Sequence, residues 1–197
     1  KQIFFLSADL GSPALDRLRQ DFKDRFINVG IAEQNLINVS TGLALEGNIV
    51  YAYAIAPFIT MRAYEQIRQN LSISSQIKPL NVNLIGVGAG LSYDLSGPSH
   101  HCLEDISIMR LMPNFMVFSP SDWKLAKHFV DYSINVKMPK YLRFNGRPLP
   151  LITRAAVKGE EEDLSSSTPF LISSNSFSMA LSRPLLTLIS STASFTF

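Results

Sequence analysis

Residues 49–87 read IVYAYAIAPFITMRAYEQIRQNLSISSQIKPLNVNLIGV, and their pattern decides the fold. Ile49 to Ala54 is a short run of apolar residues; Tyr64, Ile67 and Leu71 then recur at helical spacing, and Val82 to Val87 is apolar again. A strand, a helical crossing and a second strand form the repeating unit of a parallel sheet covered by helices. Pro57, with its fixed φ, suits the first turn of the crossing. The alternation continues in both directions. Further strands are expected at Ile3 to Ser7, Phe26 to Val29, Phe115 to Phe118 and Lys140 to Phe144, all short and mostly apolar, as buried parallel strands are. Leu36, Val39, Leu43 and Ala44 share a core-facing helical stripe, as do Trp123, Ala126, Val130 and Ile134. Ser121 or Asp122 is placed to cap the helix after Pro120. The expected fold class is therefore α/β, a parallel six-stranded sheet flanked by helices and spanning residues 1–150.

The chain's 197 residues suit one such domain with a short appendage. Hydrophobic residues make up 46% and charged residues 17%, enough apolar material for a core and too little charge for wholesale disorder. A formal charge of +2 without a run of Lys or Arg argues against nucleic acid as a partner. Cys102 is the single cysteine, so an internal disulfide is excluded and a reducing compartment fits. The opening KQIFFLSADLG is interrupted by Asp9 and reads neither as a signal peptide nor as a membrane span of about 20 apolar residues. A soluble, cytoplasmic protein is expected, with no membrane partner. Residues 151–197 read as a linker and tail: KGEEED from Lys158 passes into Ser165 to Phe197, with one charge, Arg183, no glycine and eleven serines. An irregular tail is expected there, with a helix around Ser178 to Ser190 as the alternative.

Ligands of open parallel sheets lie beyond the carboxyl ends of the strands, where four segments hold informative residues. Glu33 follows a Gly30-containing turn and opens an otherwise apolar helix. It complements the helix dipole, a role worth roughly 0.3–1 kcal/mol, or it serves a ligand. Gly86-Val87-Gly88-Ala89-Gly90 lacks the G-x-G-x-x-G spacing of a dinucleotide site, leaving a flexible loop or a close backbone approach to a ligand. His100, His101 and Cys102 are adjacent, and their spacing suits neither zinc nor a Cys–His nucleophile pair, so Cys102 reads as a small buried apolar residue. A loop-bracing histidine and a donor or acid/base histidine both stay open. His128 reads as exposed. Arg143 and Arg147 flank the end of the last strand, where a guanidinium either pairs with a phosphate or carboxylate or is simply solvated.

Three stretches, RFINVGIAEQN at 25–35, YAYAIAPFITMRAYEQIRQNL at 51–71 and GPSHHCLEDISIMRLMPNFMVFSPSD at 97–122, resemble in order and spacing the pyrimidine-binding domain of transketolase-like thiamine diphosphate enzymes. The resemblance implies that Glu33 hydrogen-bonds a ring nitrogen of the aminopyrimidine and favours its imino form. It also implies that a two-carbon ketol unit passes from a ketose to an aldose. His100 matches the histidine of the G-P-T-H motif, which contacts the donor sugar near the reacting carbon, and His101 is its neighbour. Asp9 corresponds to an acidic position lining the cofactor site, and Arg143 resembles an arginine that binds sugar phosphate. Phe58 is the candidate to stack on the pyrimidine, although Ile55-Ala56-Pro57-Phe58-Ile59 departs from the usual T-F-x-x-F pattern. Ser96 stands where an acidic residue usually precedes G-P-T-H.

The family holds the cofactor's diphosphate through magnesium or calcium bound by a G-D-G motif in another domain, and this sequence contains no G-D-G. The resemblance therefore implies a composite site shared with a thiamine-diphosphate-domain subunit, in a homo- or hetero-oligomer acting on sugar phosphates. An exposed apolar edge is expected where that partner docks. The tail does not resemble the family's third domain, so a truncation or frame disruption is expected near Lys158. Deoxyxylulose-phosphate synthase, a 2-oxo-acid dehydrogenase beta-type subunit and a noncatalytic domain derived from the family are the alternatives. The paired histidines and the E-D-I-x-I-M-R continuation favour transketolase.

Overall fold

The computed structural model describes residues 2–9, 11–146 and 171–173. The six expected strands form, as β1 (Ile3–Ser7), β2 (Phe26–Asn28), β3 (Ile49–Ile55), β4 (Asn81–Val87), β5 (Met116–Phe118) and β6 (Lys140–Phe144). All are parallel, in the order β2-β1-β3-β4-β6-β5. Residues 171–173 add a seventh strand, β7 (Leu171–Ser173), antiparallel to β5. That strand is an addition to the expected six: the outer edge of β5 presents unpaired backbone groups, and a short segment of the tail satisfies them. The alternative helix at 178–190, the disrupted frame near Lys158 and the remainder of the tail lie outside the described residues.

The helices are α1 (Asp16–Phe22), α2 (Glu33–Leu45), α3 (Tyr64–Gln66), α4 (Asp105–Met109) and α5 (Trp123–Asn135), with π-type turns at Phe58–Arg62 and Ile67–Ile73 on either side of α3. The strands' alternating side chains feed two cores, which is why they read as continuously apolar. Leu6, Val50, Val82, Leu84, Val117 and Tyr141 meet Leu36 and Ile37 of α2, Ile67 and Leu71 on one face. Met116, Phe118 and Leu142 meet Leu125 and Phe129 of α5 on the other.

The face of α5 differs from expectation. Leu125, Phe129 and Ser133 are buried, whereas Trp123 and Val130 are exposed. Two apolar stripes coexist on this helix, and periodicity does not rank them. The sheet selects Phe129, whose ring stacks on Phe118 with centroids 3.8 Å apart. Asp122 Oδ1 accepts hydrogen bonds from the Lys124 and Leu125 N–H groups, the expected cap.

β1 is the topological switch, because the chain leaves it for β2 on one side and returns to β3 on the other. Ser7 is level with both Asn28 and Tyr53, so the carboxyl ends of these three strands lie side by side. At the opposite edge of the sheet, the Lys140 amine is fully buried and donates to Asn81 Oδ1 (2.9 Å) and to the carbonyls of Ser133 (3.3 Å), Val136 (2.6 Å) and Met138 (2.8 Å).

Candidate functional site

Asn28 at the end of β2 ties the switch point together. Its Oδ1 accepts from the Asp9 and Gly30 N–H groups, each at 3.0 Å, and its Nδ2 donates to Asp9 Oδ1 at 3.0 Å. Asp9 thus lies at the expected edge, with a carboxylate oxygen engaged by Asn28. Gly30 has φ +77° and nothing within 4 Å of where a Cβ would be, so glycine is needed there for backbone conformation rather than for space. That turn delivers Glu33 as the first residue of α2.

Glu33 is only 3% exposed, and its Oε2 accepts from Arg62 Nη1 at 2.9 Å. This is a charge-assisted bond with one partner half in solvent, Arg62 being 48% exposed. The Arg62 guanidinium carbon lies 4.5 Å from the centroid of the Phe58 ring, a cation–π contact. The Gln34 amide donates to the Arg62 carbonyl at 3.3 Å. Phe58 in turn meets the His100 ring edge to face at 5.2 Å, and His100 meets Tyr93 at 6.2 Å. Glu33, Phe58 and His100, each expected from the sequence, are therefore joined in one contact chain.

Arg62 is the link the sequence reading missed. It sits in an apolar stretch, four residues after Phe58, and the π-type turn Phe58–Arg62 brings the two side chains together. A lone charge inside PFITMRAY was the available signal. Turns of this type are rare and cluster at functional sites.

The histidine loop is anchored from below. Gly90 and Cys102 exchange two backbone hydrogen bonds, at 2.8 and 2.9 Å. A Cβ on Gly88 would lie 1.9 Å from the Tyr93 ring, and one on Gly86 would lie 2.7 Å from Tyr141. Gly86 at the end of β4 and Gly88 just after it thus make room for tyrosines. His100 Nδ1 lies 3.0 Å from Ser99 Oγ, and His101 Nε2 is buried without a hydrogen-bond partner. Cys102 is fully buried, and burial, reinforced by the nearby Asp105 carboxylate, pushes its thiol up to about 11. It packs as a small apolar residue and is no nucleophile at neutral pH.

Arg143 is placed in an internal ion pair. Its Nε donates to Oδ2 of the fully buried Asp105 at 2.8 Å, and the Tyr141 hydroxyl donates to the same oxygen at 2.8 Å. Burial, with the Asp105 charge, pushes the Tyr141 phenol well above its ordinary pKa, so it stays a donor. Asp105 Oδ1 has no partner. Arg147 lies outside the described residues, and His128 is exposed on α5. Among the described residues no three His, Cys, Asp or Glu side chains come together as a metal site, and no helix is long and apolar enough to cross a membrane.

Comparison with known proteins matches residues 1–150 to the family described as the pyrimidine binding domain of transketolase. The chain is 38% identical over 133 residues to an apulose-4-phosphate transketolase subunit of Actinobacillus succinogenes, covering 68% of this chain and 42% of that one. It is 36% identical over 153 residues to a putative transketolase C-terminal section of Methanocaldococcus jannaschii, covering 77% and 47%. Among solved structures, a split gene transketolase described as an inactive beta4 tetramer superposes with a TM-score of 0.67 at 33% identity, covering 80% of this chain and 49% of that one. The chain spans less than half the length of each of these relatives.

Proposed function

The chain belongs to the family of transketolase pyrimidine-binding domains, and on that premise we propose that it is the pyrimidine-side subunit of a transketolase, or a piece of one. It transfers a two-carbon ketol unit between sugar phosphates at a site completed by a thiamine-diphosphate-domain subunit. The observation that carries this reading is the buried Glu33 carboxylate at the switch point of the sheet, linked through the Arg62 guanidinium to the Phe58 ring. The residues present fit an aminopyrimidine. A carboxylate and an aromatic face lie close enough to be bridged by one planar N–H donor, the Arg62 guanidinium, so a planar ring bearing N–H groups meets the same two contacts.

Thiamine diphosphate, when bound, supplies the electron sink for breaking and making the carbon–carbon bond. Glu33 hydrogen-bonds the pyrimidine ring nitrogen and so sets where the ring's protons sit, while Phe58 offers its face for stacking. His100, with Nδ1 against Ser99, is the group to hold or pass a proton at a donor-sugar hydroxyl. His101 Nε2, buried and unpartnered, is a second polar atom for the substrate. Asp9 lines the cofactor edge and acts with Asn28 to fix the turn before Glu33. Arg143 orients the histidine loop from its pair with Asp105, and its terminal guanidinium nitrogens are the part a sugar phosphate would meet. The diphosphate and its magnesium or calcium ion belong to the partner. The names of the relatives, one a transketolase subunit, one a C-terminal section and one an inactive beta4 tetramer, support a chain that needs such a partner; a cytoplasmic location is part of the proposal.

The test is calorimetric titration of thiamine diphosphate with magnesium into the chain alone and into the complex co-purified from its native source. Tight binding of the whole cofactor and ketol transfer are expected only in the complex, since the chain alone offers the pyrimidine seat without the diphosphate contacts. Glu33→Gln should lower turnover there by about 100-fold or more with folding unchanged. A complex that binds no cofactor, or that consumes 2-oxo acids and ignores ketose phosphates, would reverse the reading.

A further inference from the structure

We infer that the Arg62 guanidinium is a built-in occupant of the aminopyrimidine seat, held on Glu33 and Phe58 until the ring displaces it. The inference rests on the reading of Glu33 and Phe58 as that seat. A carboxylate that is 3% exposed is costly to leave unpaired, and in the chain by itself Arg62 supplies the partner. The guanidinium does so with the features that an aminopyrimidine also presents: a plane that stacks on an aromatic face and N–H groups directed at a carboxylate. Ring and guanidinium therefore need the same oxygen and the same ring face.

The two partners of the ion pair are unequally held. Glu33 is locked in the first turn of α2, whereas the Arg62 side chain is half in water, where a departing guanidinium is readily solvated. The fixed parts of Arg62 are elsewhere: its carbonyl accepts from Gln34, and its backbone ends the π-type turn that carries Phe58. The side chain can leave while Phe58 stays.

An internal occupant lowers the apparent affinity of the ring by the fraction of time that the seat is open. Removing it while keeping the apolar stem, as in Arg62→Met, should tighten binding by about tenfold if the seat is open about a tenth of the time. Arg62→Lys, which keeps the charge without the plane, should fall between the two.

The experiment is an NMR titration of the full chain with the hydroxymethyl aminopyrimidine that forms half of thiamine, following both the probe and the Arg62 guanidinium resonances. Expected results are an Arg62 signal that moves to the position of a solvated guanidinium as the probe saturates, and tighter binding in the order Met, Lys, wild type. Should Arg62→Met fail to fold, the Lys variant and the guanidinium signal decide alone. Equal or weaker binding by the Arg62 variants, with binding lost in Glu33→Gln, would overturn the displacement and leave the pyrimidine seat standing. Absence of probe binding in every form would remove the seat itself, and the inference with it.

Discussion

Lys140 shows how a single side chain can be legible by position yet opaque in chemistry. Its place at the start of a strand was readable; its burial at the lower edge of the sheet, against four oxygen acceptors, was not. Burial pulls the amine down from its ordinary value to about 7. Between about pH 7 and 10.5 the folded chain has therefore released a proton that the unfolded chain still binds, so stability rises with pH across that window and is flat below it. The difference in urea midpoint between wild type and Lys140→Met should climb from pH 7 upward. A difference that stays level would mean that the surrounding carbonyls hold the ammonium charged. At pH 7 the Met variant should lose about 1–3 kcal/mol, because Asn81 Oδ1 and the carbonyls at the end of α5 lose their donor. The places of Glu33 and His100 beyond the strand ends were readable for the opposite reason: a carboxylate and a histidine there stand out by residue type. Arg62 and the Asp105 partner of Arg143 were not, since the residues they meet are distant in sequence and no local period records such pairings.

At the scale of elements, the strands were legible almost to the residue because a parallel sheet buries both faces and leaves short apolar runs bounded by polar ones. Lys140–Phe144 and Ile3–Ser7 coincide with expectation, and the other four strands shift by one residue at an end. The existence of α2, of the helical crossing around α3 and of α5 was equally clear, whereas α1, which has no buried residue, was not expected, and helix orientation was not legible. In α5 both Trp123-Ala126-Val130 and Leu125-Phe129-Ser133 satisfy helical spacing, and only the Phe118 ring across the interface distinguishes them. Phe129→Ala should therefore cost about 3–5 kcal/mol through the cavity it leaves, whereas Trp123→Ala, removing the larger but 62% exposed ring, should stay within about 0.5 kcal/mol. Denaturant unfolding of the two variants checks the assignment, and the reverse order would put the other stripe against the sheet. The π-type turns on either side of α3 left no trace in the sequence pattern, because a wider turn shifts the apolar phase by less than the scatter of natural helices.

The whole molecule brings Glu33, Phe58 and His100 together beyond the carboxyl ends of its strands, and the loops around them carry exposed apolar side chains. Ile31 after β2, Met61 in the turn beside Arg62, and Leu91, Leu95 and Leu103 in the histidine loop are all exposed, Leu95 at 99% and Ile31 at 77%. Scattered surface leucines are ordinary, but if the proposed composite site is right, five large apolar side chains on the loops around Glu33 and His100 are a rim for the partner to cover. The sequence pointed to such an edge only through the family resemblance, and these five exposed side chains are the positions at which to test it. Burying a leucine side chain is worth about 1.5–3 kcal/mol, so introducing carboxylates at two rim positions should weaken the partner complex by several orders of magnitude while leaving the fold untouched. The test is Leu95→Asp with Leu103→Asp, two substitutions on side chains that contribute nothing to the core. Thermal unfolding of the isolated chain should be unchanged, sedimentation should show the complex dissociated, and thiamine diphosphate binding should fall with assembly rather than separately from it. A complex that assembles at wild-type affinity would move the docking surface off this rim, and the composite site would then have to be completed from another face of the sheet.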